Sequence, residues 1–491
     1  MTTPARVRFA PSPTGRLHIG GARTGLYNYL LARQTKGQFV LRIEDTDRKR
    51  FVPGAEEEIF EALSWLGMEW DEGPDVGGPY APYRQSERKD IYFEHAEKLV
   101  ASGHAYYCFC TPERLATVRK EQQARKEPPR YDGLCRKLNS EEAHERKRDG
   151  ESHVIRFRTP REGNTIGVDV IRGDIAVENA TLDDYILLKS DGLPTYHLAA
   201  MVDDHLMEIT HVFRTSEWLP TFPLHVLIYE AFDWVQPEWV HMSVLLNPSG
   251  KGKLSKRHQS GKSHAVHPFD LKELGYVPEA VANWLALMGW AYDDRTEYFE
   301  MADLIEKFSL AKLNASPAAV NFSKLDHFNG LHIRSFSEDE LVEKLLPYFH
   351  AAELNVTDEQ LGRVVPLIQE RIRTLDEAVE MAGFLFRDDV TPDPQELVGK
   401  KMTAAESADA IRRSVEVIDE FAKLETDRLE FALRELAEKL ELKVGQLFGI
   451  LRVAVTGQRV SPPLIETMEL LGKPIVLERL EAAQVALKAL E

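Results

Sequence analysis

The first fifty residues restrict the fold most. Arg6-Val7-Arg8-Phe9 reads as a short strand. The loop Pro11-Ser12-Pro13-Thr14-Gly15 cannot continue it, because proline removes a ladder donor and glycine favours a turn. Ala22, Leu26, Tyr29 and Leu30 then recur at helical spacing, and Gly37 ends the helix. Phe39 to Ile43 is a mostly apolar run of the kind buried in a parallel sheet. Strand, helix and second strand in this order open a doubly wound nucleotide-binding domain.

At 491 residues the chain exceeds one hydrophobic core, and its length suggests three or four domains. With 43% hydrophobic and 29% charged residues, it is not of the disordered class. No apolar run is long enough to span a bilayer. Met1 to Ala10 lack a basic region followed by an apolar core, so the expectation is a cytoplasmic enzyme with no membrane partner. The net charge of −18 opposes nucleic-acid binding only if the sum matters, and a phosphate backbone senses local fields. Arg114, Arg119, Lys120, Arg125, Lys126, Arg130, Arg136 and Lys137 stand against only Glu121, Glu127 and Asp132. This is a basic island in an acidic protein, and the alternative is a solvated helix face. The three cysteines, Cys108, Cys110 and Cys135, are too few for a disulfide framework and suit a reducing compartment.

Residues 105–190 read as an inserted α+β domain with short strands at Val154–Arg158 and Asp169–Arg172. Sheet-like segments return at Tyr185–Leu188, Tyr196–Val202 and Ile209–Phe213. The last third is helical, with amphipathic stretches at Glu338–Phe349, Glu359–Arg373, Ala404–Leu424, Arg428–Leu442 and Val476–Leu490.

Two loops carry the chemistry. Pro11-Ser12-Pro13-Thr14-Gly15-Arg16-Leu17-His18-Ile19-Gly20-Gly21 lies at a strand-to-helix turn, where open backbone N–H groups and the helix dipole favour an anion. Gly20 and Gly21 let a nucleotide approach the backbone, and His18 can donate to a phosphate oxygen. The alternative is a plain turn with a surface histidine. Lys253-Leu254-Ser255-Lys256-Arg257 follows Gly250-Lys251-Gly252 and suits a clamp on a polyphosphate, whose developing charge needs positioned cations. Taken singly, an exposed basic loop is the better reading.

Taken together, the two loops resemble the HIGH and KMSKS motifs of class I aminoacyl-tRNA synthetases. Arg42-Ile43-Glu44-Asp45-Thr46-Asp47 resembles the RIEDTD segment of glutamyl-tRNA synthetases. Pro194-Thr195-Tyr196-His197-Leu198-Ala199, with Val202-Asp203-Asp204-His205, resembles their PTYHLA and VDDH stretch. Tyr131-Asp132-Gly133, Asn329-Gly330 and Leu451 to Gly457 also match, so the resemblance spans essentially the whole chain.

The resemblance implies an α/β class: a Rossmann-type catalytic domain with an α+β acceptor-binding insertion, a stem-contact region and a C-terminal all-helical anticodon-binding region. The implied boundaries are 1–104 and 191–245 for the two catalytic halves and 105–190 for the insertion. Residues 246–325 form the stem-contact region with the KLSKR loop, and 326–390 and 391–491 two helical anticodon-binding subdomains. The implied reaction is ATP-dependent activation of L-glutamate, with Mg2+ on the triphosphate, and transfer to the 3′-terminal adenosine of tRNA(Glu). Arg8, Ala10, Ser12, Tyr196, Ala200 and Arg214 match positions around the amino acid, and Glu44 matches the carboxylate that holds its ammonium group. The planar fork of arginine suits a carboxylate. His18, Gly20, Gly21, Glu217, Lys253, Leu254, Ser255 and Lys256 match ATP-binding positions, with His18, Lys253 and Lys256 as the catalytic set. Arg371 matches an arginine that in some relatives excludes the tRNA(Gln) anticodon. A monomer is expected.

The chain also departs from the family pattern. Ala200 stands where some members carry asparagine near the substrate α-carboxylate, and His327 replaces a frequent tryptophan. Arg214-Thr215-Ser216-Glu217-Trp218 lacks the commoner small residue and acid after the arginine. Cys108, Cys110, Tyr131 and Cys135 resemble a zinc site of the family, and three thiolates with one oxygen suit tetrahedral zinc. Lys137 stands where some relatives have a histidine ligand; three reduced structural cysteines are the preferred reading and zinc the alternative.

Other functions fit less well. Shorter relatives that glutamylate a modified tRNA base lack the helical third. Glutaminyl-tRNA synthetases carry a mostly β-barrel C-terminal region. A non-catalytic tRNA-binding paralogue has no need of His18, Lys253 and Lys256, and a small-molecule nucleotidyltransferase has no need of so large a helical appendage.

Overall fold

The computed structural model describes residues 3–254 and 265–490, so Ser255, Lys256 and Arg257 lie outside the described residues. The chain falls into two compact units, Met1–Leu271 with Val281–Phe322 and Lys272–Ala280 with Ser323–Glu491.

In the first unit the longer strands are β1 (Arg6–Phe9), β2 (Gln38–Leu41), β3 (Ala105–Cys108), β4 (Val154–Phe157), β5 (Asn164–Asp169), β6 (Gly173–Glu178), β7 (Ile186–Leu188), β8 (His211–Thr215) and β9 (Glu238–Met242), beside a two-residue pair at Leu245–Leu246 and Ala318–Ala319. Six of them form one sheet in the order β2-β1-β8-β9-β5-β6, and β3-β4-β7 form a second. Strands β2, β1, β8, β9 and β5 run parallel, with Arg8 opposite Val40, and β6 is antiparallel to β5. Parallel strands are covered on both faces, and Val7, Phe9, Phe39, Val40 and Leu41 are all buried. Full burial of each large apolar side chain stabilises by about 1.5–3 kcal/mol.

Helix α1 (Ile19–Thr35) links β1 to β2 and ends at Lys36 in the left-handed region. A Cβ at Gly37 would lie 1.8 Å from the carbonyl oxygen of Ala5, so only glycine lets the chain return alongside β1. Helix α2 (Pro112–Ala124) carries much of the basic island and buries only Gln122.

Two segments read as strands are not strands, save for one residue. Tyr196–Leu206 is helix α3, and its expected strand Tyr196–Val202 is its first two turns. Leu198, Ala199, Ala200, Met201 and Val202 are all buried. A helix apolar on every side has the same pattern as a buried strand. Of Asp169–Arg172 only Asp169 is strand, the last residue of β5; Val170–Arg172 turn into β6, and Asp169 Oδ1 accepts from the backbone N–H groups of Ile171 and Arg172 at 3.0 and 2.9 Å. Strands β5 and β6 extend the main sheet rather than the small one. Helix α4 (Phe222–Ala231) follows β8 and is buried along nearly its whole length.

The second unit is helical. Its helices include Glu338–Ala351, Ala404–Asp419, Thr426–Lys439, Val444–Thr456 and Lys473–Lys488. Leu429, Leu433 and Leu436 show how one stripe is buried, recurring at helical spacing into a shared core with Ile450, Leu451 and Leu480. Capping boxes at Ser337 with Glu340 and Thr403 with Glu406 start two of the helices. The stretch Glu359–Arg373, read as continuous, breaks into Asp358–Gly362 and Val365–Ile368, with Pro366 just inside the second. No helix among the described residues is long and apolar enough to cross a membrane.

Candidate active site

A cavity of about 780 Å³ opens at the C-terminal ends of β1 and β8. These neighbours lie where the strand order reverses direction, the usual ligand position in an open parallel sheet. Arg8, Ala10, Ser12, Glu44, Tyr196 and Arg214 all line it, as do Lys189, Gln85 and Trp218. Trp218 stacks on Tyr196 with ring centroids 4.0 Å apart.

Beneath it lies a buried ionic network. Arg8 Nε and Nη2 donate to the two carboxylate oxygens of Asp204 at 2.9 and 3.3 Å. Arg42 donates to Asp204 at 2.8 Å and to Glu44 at 3.1 Å. Asp203 accepts from Gln85, Arg88 and Tyr92. Burial pushes the Asp204 carboxyl up, but Arg8 and Arg42 outweigh it and the net direction is down. For Glu44 burial wins over the same two arginines, and its carboxyl rises to about 7.

Arg214 is held differently. Its Nε donates to His241 Nε2 at 2.9 Å and its Nη1 to His225 Nδ1 at 2.6 Å. Its Nη2 is buried without a hydrogen bond of normal geometry, and the Tyr196 hydroxyl lies close enough to the guanidinium to interact with it. Burial pulls His225 well below its usual range, and lowers His241 and His197 to about 4, so all three rings are neutral near pH 7. A cation with one unmatched donor beside a cavity is equipped for an acid.

The second cavity, about 740 Å³, shares Thr24 and Thr215 with the first. His18, Gly20, Gly21, Glu217, Lys253 and Leu254 line it. His18 is the N-cap of α1, and its Nδ1 accepts from the Gly20 N–H at 3.1 Å, which places the proton of the neutral ring on Nε2. Lys253 pairs with Glu217 at 2.7 Å. Ser255 and Lys256 lie outside the described residues.

Ala200 is the exception among the amino-acid positions. It is fully buried within α3 and lines neither cavity, so it offers a ligand no side-chain contact. The sequence reading assigned no role to Arg42, Asp204, Trp218, His197, His225 or His241. The adjacent acids Asp203-Asp204 within an apolar run were a signal of buried pairing. His197 stood in a quoted stretch without a role, and His225 and His241 gave no signal.

Away from the cavities, the sulfur ligand atoms of Cys108, Cys110 and Cys135 lie within 4.8 Å of one another. The Tyr131 hydroxyl is 3.5 Å from both Cys108 Sγ and Cys110 Sγ, and its oxygen accepts from the Cys135 N–H at 2.8 Å. Three sulfurs and one oxygen at these separations fit a tetrahedral ion with Zn–S bonds of about 2.3 Å. In the second unit, Arg371 lies exposed in the turn after Val365–Ile368.

The fold is that of the class I tRNA synthetases. Residues 4–327 match the family described as tRNA synthetases class I (E and Q), catalytic domain, and residues 340–484 match the anticodon binding domain. The chain is 46% identical over 495 residues to a glutamate–tRNA ligase of Dehalococcoides mccartyi, covering 100% of both. It is 46% identical to that of Roseiflexus castenholzii, over 99% of this chain and 97% of the relative. A crystal structure of a glutamate tRNA ligase from Elizabethkingia meningosepticum in complex with its amino acid superposes with a TM-score of 0.88 at 36% identity, covering 99% of this chain and 100% of that one. The chain belongs to the glutamate–tRNA ligase family. Its activity is the ATP-dependent attachment of glutamate to tRNA.

Proposed function

We propose that the first cavity binds L-glutamate, the second binds ATP, and the reactants meet at Thr24 and Thr215. The observation that carries this reading is the buried, unmatched Nη2 of Arg214 in a cavity adjoining the capped N-terminus of α1. Arg214 takes the side-chain carboxylate with help from Arg8 and Tyr196, and Glu44 takes the ammonium group. The α-carboxylate then attacks the α-phosphorus of ATP, a P–O bond forms, and pyrophosphate leaves with the electrons of the broken bond. No enzyme nucleophile is needed; alignment of the two reactants supplies much of the rate. His18, Lys253, Lys256 and the helix N-terminus offset charge on the triphosphate. Lys253 must leave Glu217 to do so. Mg2+, when bound to the triphosphate, adds charge neutralisation. The terminal 2′-hydroxyl of tRNA next takes the glutamyl group from the adenylate and AMP leaves.

The tRNA acceptor end meets the segment 105–190, and the anticodon meets the helices of the second unit, where Arg371 selects tRNA(Glu) over tRNA(Gln). Zinc held by Cys108, Cys110, Cys135 and Tyr131 pins the loops of the small sheet, a structural role with no part in the chemistry. The protein works as a cytoplasmic monomer. ATP–pyrophosphate exchange with and without tRNA, followed by charging of tRNA(Glu) and tRNA(Gln), tests the main reading. Failure to charge tRNA(Glu) would overturn it, and rapid exchange without tRNA would contradict a tRNA-dependent first step. Metal analysis of chelator-free protein tests zinc, and less than stoichiometric metal refutes it.

A further inference from the structure

Arg8 and Arg214 line the same cavity, but their charges are treated in opposite ways. Arg8 is bidentate to Asp204, which cancels its charge locally. No ion pair joins Arg214 to a described carboxylate; its bonded N–H groups meet two imidazoles. A guanidinium only donates, so His241 Nε2 and His225 Nδ1 must both present lone pairs.

The remaining bonds make this proton arrangement self-consistent. Asp169 Oδ2 lies 2.8 Å from His241 Nδ1 and also accepts from the His241 backbone N–H at 2.9 Å, which fixes the ring proton on Nδ1. His225, with a bare Nδ1, carries its proton on Nε2 and donates to His197 Nδ1 at 2.9 Å. Asp169, His225 and His241 are buried, so water cannot supply substitute partners. The imidazoles satisfy two edges of the guanidinium without neutralising it. A carboxylate in either place would satisfy the same edge and cancel the charge.

We infer that Asp169, His241, His225 and His197 form a proton-locked cradle that positions Arg214, leaves its charge uncancelled, and thereby sets the preference for a side-chain carboxylate over the corresponding amide. The role rests on the reading that Arg214 meets the glutamate side chain. These are positioning residues, which act through Arg214 rather than on the substrate. An amide can accept from Nη2 but gains nothing from the net charge, whereas a carboxylate gains both.

Two substitutions of equal shape separate charge from packing. In His225→Asn the side-chain oxygen can stand near the place of Nδ1 and accept from Arg214; His225→Asp offers the same oxygen with a negative charge. Steady-state activation kinetics on the full-length enzyme should find that H225N, whatever its loss in kcat, keeps the selectivity for glutamate over glutamine within about threefold of wild type. H225D should raise the glutamate KM by about tenfold or more, leave the ATP KM unchanged, and lower selectivity for glutamate over glutamine by a similar factor. Equal behaviour of the two variants overturns the inference. Should both fail to fold, long-range 1H–15N correlation of histidine side chains in the wild-type enzyme decides it. A neutral His241 protonated at Nδ1 and a neutral His225 protonated at Nε2 are expected, and a charged ring or the opposite tautomer at either overturns the cradle. Arg214→Gln guards the underlying reading: an unchanged glutamate KM in that variant overturns the substrate role of Arg214, while the tautomers still report on the cradle.

Discussion

Glu44 ends the segment after β2 among two arginines, yet burial raises its carboxyl to about 7. The sign of the consequence follows directly. Below that value the side chain is protonated and offers an ammonium group no charge; above it the carboxylate is present. The folded state therefore binds this proton more tightly than the unfolded chain, and ionisation of Glu44 costs stability as pH rises towards 7. An ammonium ligand offsets that cost. For glutamate activation, kcat/KM should climb through an inflexion near pH 7, since it reports groups of the free enzyme. Glu44→Gln should be slower throughout and lack the inflexion; a profile of unchanged shape would show that another group titrates. Asp204 works in the opposite direction. Removing it leaves Arg8 and Arg42 buried without their main partner, so Asp204→Ala should destabilise the fold by about 3–5 kcal/mol, read by denaturant unfolding. Glu44 was legible in the sequence because it stands in a recognisable motif, and Arg8 and Arg214 because they match single positions of the family beside such motifs. His225 and His241 were not, because they come from α4 and β9 and acquire meaning only where the sheet brings both to Arg214.

Elements were legible wherever one face is buried and the other wet. The helices of the second unit show this plainly, and in the structure capping boxes of Ser337 with Glu340 and Thr403 with Glu406 start two of them. Helix α3 was misread because its buried residues occupy every side, which erases the period that separates helix from strand. Strands β5 and β6 were placed in the insertion by their position in the chain. The strand that joins them to the main sheet is β9, which pairs with β5 some seventy residues further on, and no local pattern announces a pairing of that range. Gly37 marks the opposite case, a local signal with a long consequence. The β1–β2 crossover closes only because nothing projects from Gly37 towards Ala5. Gly37→Ala would have to displace the backbone of Ala5, which lies just ahead of β1 and hence of Arg8. A loss of roughly 2–4 kcal/mol is expected, more than a glycine-to-alanine change costs in relaxed backbone. Thermal unfolding with parallel measurement of the glutamate KM checks it, and a variant as stable as wild type would show that the crossover has slack.

On the scale of the whole molecule, an acidic protein must bind a polyanion. The net charge is −18, so attraction has to come from a local patch. The basic island of the sequence is smaller in the folded chain than its composition suggests. Arg114 pairs with Asp132, Arg125 with Glu127 and Arg136 with Asp184, which removes much of their field. Arg119, Lys120, Lys126, Arg130 and Lys137 are exposed and have no ion pair to a described residue, although Arg130 donates to the Ala180 carbonyl. These five are the cations of the island left to meet phosphate. Replacing Arg119, Lys120 and Lys126 by alanine together should raise the tRNA KM several-fold while the KM values for ATP and glutamate stay constant, because neither cavity includes them. Each phosphate deprived of its cation should also flatten the plot of log kcat/KM for tRNA against log salt by about 0.7–0.9. The salt slope discriminates better than the KM itself, since a distorted α2 would weaken binding without changing the number of counterions released. A triple variant with weaker binding but the wild-type slope would mean that the acceptor end lies elsewhere on the protein.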